Sequence, residues 1–311
     1  AELETPQGDS VVAFSLGARD LVTEGIAHDP ASGDFFVSSV HRRKIVRVRP
    51  GEREQDFVAE ASDGLLAVLG IAVDAPRHRL WACTAAVPQM RGYREGLEGR
   101  TELVAFDLKD GRRIRSLGPP PDGARHSFND LTLGSDGTVY VSDSVSGTLY
   151  RLGPDATELE VLVEPGRLLS PNGLALSADQ RRLFVSDYPR QSGLAILQLD
   201  TRKLLFPAHE GPPTLYGIDG LLRHGGTLIA IQNGVRPHRV LRLRLAPDLS
   251  RLAEVTVLER ANPHFDEPTL GVMVGDRFYY VANSQWGSFD EDGHIWPTER
   301  LKAPVILSLR P

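Results

Sequence analysis

One pattern of apolar and polar positions recurs six times along the chain. Each copy has a glycine or similar residue, an apolar triplet, a turn, then an aromatic-rich apolar run that ends in small polar residues. The copies read GIAHDPASGDFFVSS from Gly25, GIAVDAPRHRLWACT from Gly70, DLTLGSDGTVYVSD from Asp130, GLALSADQRRLFVSD from Gly173, GLLRHGGTLIAIQN from Gly220 and PTLGVMVGDRFYYVAN from Pro268. Their spacing of about 40 to 60 residues is that of propeller blades. Within a copy, the first run lacks alternation, as a strand buried on both faces does. The turns ASGD, SDG, ADQ and HGG carry the residues tight reversals need, and the second run is rich in β-branched and aromatic side chains. A third run follows each copy (KIVRVRP, ELVAFDL, GTLYRLG, LAILQLD, RVLRLRL, PVILSLR) and alternates apolar with polar, like a half-exposed strand.

Three such strands with a fourth leading to the next unit make a propeller blade. The pattern therefore predicts an all-β chain, a single six-bladed β-propeller over residues 1–311, with blades starting near residues 24, 69, 129, 172, 219 and 267. VVAFSL, Val11–Leu16, is left over at the N-terminal side; as a strand it would complete the last blade and close the ring. A two-sheet sandwich would not account for six in-phase copies.

The positions one residue before each inner strand hold Glu24, Leu69, Asn129, Asn172, Asp219 and Glu267. In a propeller these positions converge on the central channel, and five of the six carry a side-chain oxygen. Carboxylates clustered there without a partner would cost several kcal/mol, which implies a cation or shared protons. An oxygen-only set without Cys or His suits a hard ion in the channel, Ca²⁺ first, then Mg²⁺ or Mn²⁺; it disfavours zinc, which prefers nitrogen and sulfur, so Zn²⁺ stands only as a possible substitute. The competing reading is that these residues satisfy local backbone groups in turns, above all Asn172 within PNG.

EGIAHDP around Glu24, HSFNDL around Asn129, SPNGLALS around Asn172 and YGIDGL around Asp219 resemble the SMP-30/gluconolactonase family across essentially the whole chain. The resemblance extends more distantly to paraoxonases and diisopropyl fluorophosphatase. It implies a six-bladed propeller in which Glu24, Asn129, Asn172 and Asp219 bind a catalytic divalent cation. The implied activity is hydrolysis of lactones or related esters, with Asp219 both ligand and base or nucleophile. Asp130 matches a residue that holds a second, structural calcium in paraoxonases. Two departures stand out: the arginine that sugar-lactone members carry two residues before the Asn is Ser127 here, and the paraoxonase histidine is Leu69.

His126, three residues before Asn129, is a candidate acid, base or substrate donor. Ser127, Tyr188, Asn233, Glu267 and Trp286 are expected to line the substrate pocket, near the ends of the second strands (Ser38–Ser39, Thr84, Asp143, Asp187–Tyr188, Asn233, Asn283). Two long loops, roughly 85–100 and 284–300, are candidate lids; the second holds Trp286, Phe289, His294 and Trp296. No GxSxG elbow occurs, and the lone Cys83 lies in an apolar run, where it reads as a small buried hydrophobe. The alternatives are a non-catalytic ligand-binding propeller with a structural cation and a strictosidine-synthase-like propeller enzyme.

Composition narrows the partners. A net charge of −6 argues against nucleic acid, and no run approaches the ~20 apolar residues of a membrane span. A small-molecule lactone or ester is the expected partner, with the protein a monomer or dimer. The start at Ala1 matches a processed export product as well as a trimmed chain, so a periplasmic or secreted setting is expected over a cytoplasmic one.

Overall fold

The described residues form six four-stranded antiparallel sheets built from twenty-four strands. The structure, a computed structural model, describes residues 5–49 and 51–311; Ala1 and Pro50, the last residue of KIVRVRP, lie outside them. The first blade runs from β2 (Thr23–His28) through β3 (Phe35–Ser39) and β4 (Lys44–Val48) to β5 (Gln55–Val58). The second comprises β6 (Ala67–Asp74), β7 (Arg79–Ala85), β8 (Thr101–Asp107) and β9 (Arg113–Leu117). The third comprises β10 (Phe128–Leu133), β11 (Val139–Asp143), β12 (Thr148–Leu152) and β13 (Glu160–Val163). The fourth has β14 (Pro171–Leu176), β15 (Arg182–Asp187), β16 (Leu194–Gln198) and β17 (Leu204–Leu205). The fifth has β18 (Ile218–His224), β19 (Thr227–Gln232), β20 (Arg239–Leu245) and β21 (Leu252–Arg260).

The sixth blade is completed from both ends of the chain: β22 (Gly271–Val274), β23 (Arg277–Val281), β24 (Val305–Leu309) and, outermost, β1 (Val11–Ser15). β1 pairs antiparallel with β24, Val11 opposite Ser308 and Ser15 opposite Val305, so the N-terminal strand closes the ring as expected. The inner strands touch one another in chain order, and β22 returns to β2. Apolar clusters fill the wedges between blades: Ala27, Phe36 and Ile45 meet Leu80, Ala82 and Phe106 across the first junction. Among the described residues, no helix is long and apolar enough to cross a membrane.

One irregularity repeats. In blades one to five, the ladder between the inner and second strands shifts register between Thr23 and Ile26, Val68 and Ile71, Phe128 and Leu131, Pro171 and Leu174, and Ile218 and Leu221. The two residues skipped are Glu24–Gly25, Leu69–Gly70, Asn129–Asp130, Asn172–Gly173 and Asp219–Gly220. A bulge of this kind re-aims a side chain that the regular pleat would hold between sheets. The glycines are required by packing: a Cβ on Gly25 or Gly173 would stand 2.5 Å from the carbonyl oxygen of Leu69 or Asp219 in the next blade. The sixth blade has no such bulge, and its inner strand starts at Gly271 rather than near residue 267.

Candidate metal centre

The bulges bring Glu24, Asn129, Asn172 and Asp219 to the upper end of the channel, where the inner strands begin. Glu24, Asn172 and Asp219 are at most 8% exposed. Three buried side-chain oxygens there have no hydrogen-bond partner: Asn129 Oδ1, Asn172 Oδ1 and Asp219 Oδ1. Buried polar atoms are ordinarily paired, so three acceptors left open on three successive blades suit a shared electropositive partner. The turn reading predicts the opposite, since local backbone donors would have satisfied them. An all-oxygen donor set of two carboxylates and two amides fits a hard divalent cation.

Electrostatics point the same way. Burial, then the charges of Asp219, Asp130 and Glu267, holds the Glu24 carboxyl well above the usual range despite the Trp286 hydrogen bond. Asp219 is pushed up to about 7 by burial, with the Asn233 and Asn172 amides opposing and Glu267 adding to the rise. Asp130 is likewise raised to about 7 by burial, against backbone N–H groups of Leu131 and Leu174, with Asp219 contributing. The charged groups acting on these three carboxyls are all themselves carboxyls. A site so arranged is short of positive charge.

Neighbouring side chains orient the oxygens. Asn233 Nδ2 donates to Asp219 Oδ2, and Tyr188 Oη donates to Asn233 Oδ1 at 3.1 Å. Trp286 Nε1 donates to Glu24 Oε2 at 2.8 Å, and the backbone N–H of Gly287 donates to Glu267 Oε2 at 3.2 Å. Tyr188, Asn233, Glu267 and Trp286 thus gather around the four central residues. Burial and the same carboxylates raise the Tyr188 hydroxyl to about 12, so it stays a donor. Ser127 is half-buried at the upper end of blade three; its N–H goes to Asp143 Oδ1 and its carbonyl to Ser144. Asp130 occupies the place glycine holds in the other four bulges, and its Oδ2 accepts the Leu174 N–H of the next blade at 3.2 Å.

His126 is held differently. Its Nδ1 lies 2.7 Å from Asp143 Oδ2 and its Nε2 2.9 Å from Asp122 Oδ1, so both ring nitrogens are engaged by carboxylates of its own blade. These contacts make it a clamp on the loop before β10. Most second-strand ends also pin loops rather than wall the pocket. Asp143 accepts the N–H groups of Ser127, Val145 and Ser146; Asp187 accepts those of Leu169 and Ser170; Asn283 bonds Ala303 and Val305. Of that set, Asn233 bonds the Asp219 carboxylate, and Tyr188 reaches it through Asn233.

The remaining wall is apolar. Leu69, the one central position without oxygen, packs with Val22, Val40, Leu66 and Met90, and Tyr93, Trp286 and Phe289 from the two long loops lie against them. His41, which the sequence pattern did not single out, joins these loops: Nδ1 lies 2.7 Å from the Gln89 carbonyl and the ring meets Phe289 edge-on at 5.7 Å. In the second loop His294 is exposed, and Trp296 carries the Arg300 guanidinium 4.2 Å above its ring. Below the ring of oxygens, a cavity of about 350 Å³ continues down the axis between all six inner strands.

Residues 22–210, more than half of the chain, match the SMP-30/gluconolactonase/LRE-like region; the match includes Glu24, Asn129 and Asn172 and ends before Asp219. No curated protein matches the sequence. Among solved structures, a gluconolactonase from Xanthomonas campestris superposes with a TM-score of 0.67 at 18% identity, covering 100% of this chain and 93% of its own. A luciferin-regenerating enzyme gives 0.64 at 13% identity, covering 98% and 95%. A PQQ-bound aldose sugar dehydrogenase from Streptomyces coelicolor gives 0.63 at 18% identity, covering 98% and 99%. At such identities the likeness is one of fold.

Proposed function

The chain belongs to the SMP-30/gluconolactonase/LRE-like family, and from that premise we propose that it is a divalent-cation-dependent hydrolase of lactones or related esters. The observation that carries this reading is the set of three orphaned buried oxygens on Asn129, Asn172 and Asp219 beside the Glu24 carboxylate. Ca²⁺ is the proposed ion, held by those four side chains. When bound, such a cation polarises a carbonyl oxygen and offsets the charge that develops on it in the tetrahedral transition state. Asp219, fixed through Asn233 and Tyr188, takes the proton of the attacking water or attacks the carbonyl carbon itself. Label in Asp219 after single-turnover hydrolysis in ¹⁸O-water marks direct attack, because water taken up with Asp219 as base leaves its oxygen in the product alone.

The walls favour an apolar arm on the substrate over a polyhydroxylated ring. Beside the site, Leu69 and Met90 pack in a buried apolar cluster with Phe289 against it. On the rim of blades three to five, Val145, Leu169 and Tyr216 are exposed large hydrophobics. Ser127 offers no guanidinium for hydroxyl-rich ligands.

A panel of aliphatic, aromatic and sugar lactones, aryl esters and phosphotriesters, assayed with and without EDTA, tests the reading. Hydrolysis of an alkyl or aryl lactone that EDTA abolishes and Ca²⁺ restores is expected, with Asp219→Asn lowering kcat by about 10²- to 10⁴-fold. Full activity in Asp219→Asn, or in EDTA, contradicts it.

A further inference from the structure

Blade six reaches the channel by a different device. It has no bulge; instead Glu267, just before its inner strand, sits at φ +60°, a left-handed conformation disfavoured for a residue that carries a Cβ. Such strain persists where the surroundings over-determine it, and it concentrates at functional sites. Here the surroundings are backbone hydrogen bonds: Asp266 N–H to Ala282 O at 3.0 Å, Ser284 N–H to Glu267 O at 3.2 Å and Gln285 N–H to Asp266 O at 3.3 Å.

The two adjacent acids then diverge. Asp266 accepts Lys302 Nζ at 3.0 Å, whereas Glu267 has no basic partner among the described residues. Consecutive residues of the second long loop tie it to the centre: Trp286 bonds the Glu24 carboxylate and Gly287 bonds the Glu267 carboxylate. Glu267 also acts electrostatically on Glu24, Asp219 and Tyr188.

From the left-handed placement of Glu267 and the bridge that Trp286–Gly287 makes between it and Glu24, we infer that Glu267 is a positioning group of the cation site, adding a carboxylate charge from the sixth blade beside the donors. This rests on the cation reading above. Among the described residues, Glu24, Asp219 and Glu267 do not form a group whose oxygens all lie within 4.8 Å of one another, so Glu267 acts through its charge and through the Trp286–Gly287 segment rather than as a donor to the ion.

Glu267→Gln is the discriminating variant, because its amide oxygen still accepts from Gly287 while the charge is gone. Calorimetric titration of CaCl₂ into EDTA-stripped protein reads the site without any substrate. A weakening of the Ca²⁺ Kd by about 10- to 100-fold is expected, with Glu267→Asp between the wild type and Glu267→Gln and unfolding midpoints of the stripped proteins unchanged. A Glu267→Gln Kd within twofold of wild type overturns the inference and leaves Glu267 as a loop pin. Absence of Ca²⁺ binding by the wild type overturns the cation reading as well.

Discussion

Ser38, Ser142 and Ser186 occupy one position of the second strand in three blades, and each hydroxyl donates to the bulge carbonyl of the following blade. The acceptors are Leu69 O at 2.6 Å, Asn172 O at 2.7 Å and Asp219 O at 2.9 Å, and Thr269 closes the circle onto Glu24 O at 2.7 Å. Cys83 stands at the same position in blade two, as its register opposite β6 shows. Three of the four oxygen-bearing residues, Glu24, Asn172 and Asp219, are therefore fixed by a neighbouring hydroxyl on their own backbone carbonyls. Ser142→Ala leaves a buried carbonyl unpaired and should cost about 1–3 kcal/mol in urea unfolding; a loss below about 0.5 kcal/mol would contradict this role. His126 gives a pH-dependent counterpart. Burial opposes its protonation, but Asp122 and Asp143 outweigh burial and raise it above the ordinary 6.5. Its stabilising contribution is thus fully present below pH 6.5 and fades as pH rises through the elevated folded value. The difference in unfolding midpoint between wild type and His126→Gln should shrink with rising pH; a constant or widening difference would show that the imidazolium is not the form held.

Among the elements, the inner, second and third strands of every blade are legible in the sequence because they are long enough to show apolar runs and alternation. Apart from β1, the outer strands are not. β17 is only two residues long and half-buried, and β5 and β13 begin with exposed polar residues. Lone edge strands carry too little apolar pattern to register. The bulges leave a fainter trace, the glycine that follows Glu24, Leu69, Asn172 and Asp219. Asp130 breaks that trace, and in blade six the signal is absent, which is why Pro268 reads as the strand start although β22 begins at Gly271. The residues that lead the five bulges, Glu24, Leu69, Asn129, Asn172 and Asp219, are legible from phase alone. The loop-pinning of Asp143 and Asp187 was not, since it depends on how each loop folds back. β1 makes its own prediction. Its side chains are mostly exposed apart from Phe14, whose ring lies 5.3 Å from Phe35, so its contribution is to cover the β24 edge. Removing residues 1–15 should lower stability by a few kcal/mol and promote association. Unchanged urea midpoint and light scattering would show that the ring closes without it.

For the molecule as a whole, the six-fold arrangement turns local irregularities into a single centre. Each bulge displaces one side chain, and circular order sums these into a ring of buried oxygens with no basic group among the charges acting on Glu24, Asp130 and Asp219. An apolar cluster around Leu69 falls on blades one and two beneath the long loops, beside the Glu24 carboxylate. A second, exposed group, Asp290, Asp292 and His294, also brings three potential ligands together, yet it is solvated and its Asp290 already accepts backbone N–H groups. The most direct measurement is an anomalous difference map from crystals grown with Mn²⁺. One peak on the channel axis, in coordination contact with Glu24, Asn129, Asn172 and Asp219, is the result expected. Density confined to the Asp290 loop, with the axial oxygens bonded instead to protein donors, would contradict the account.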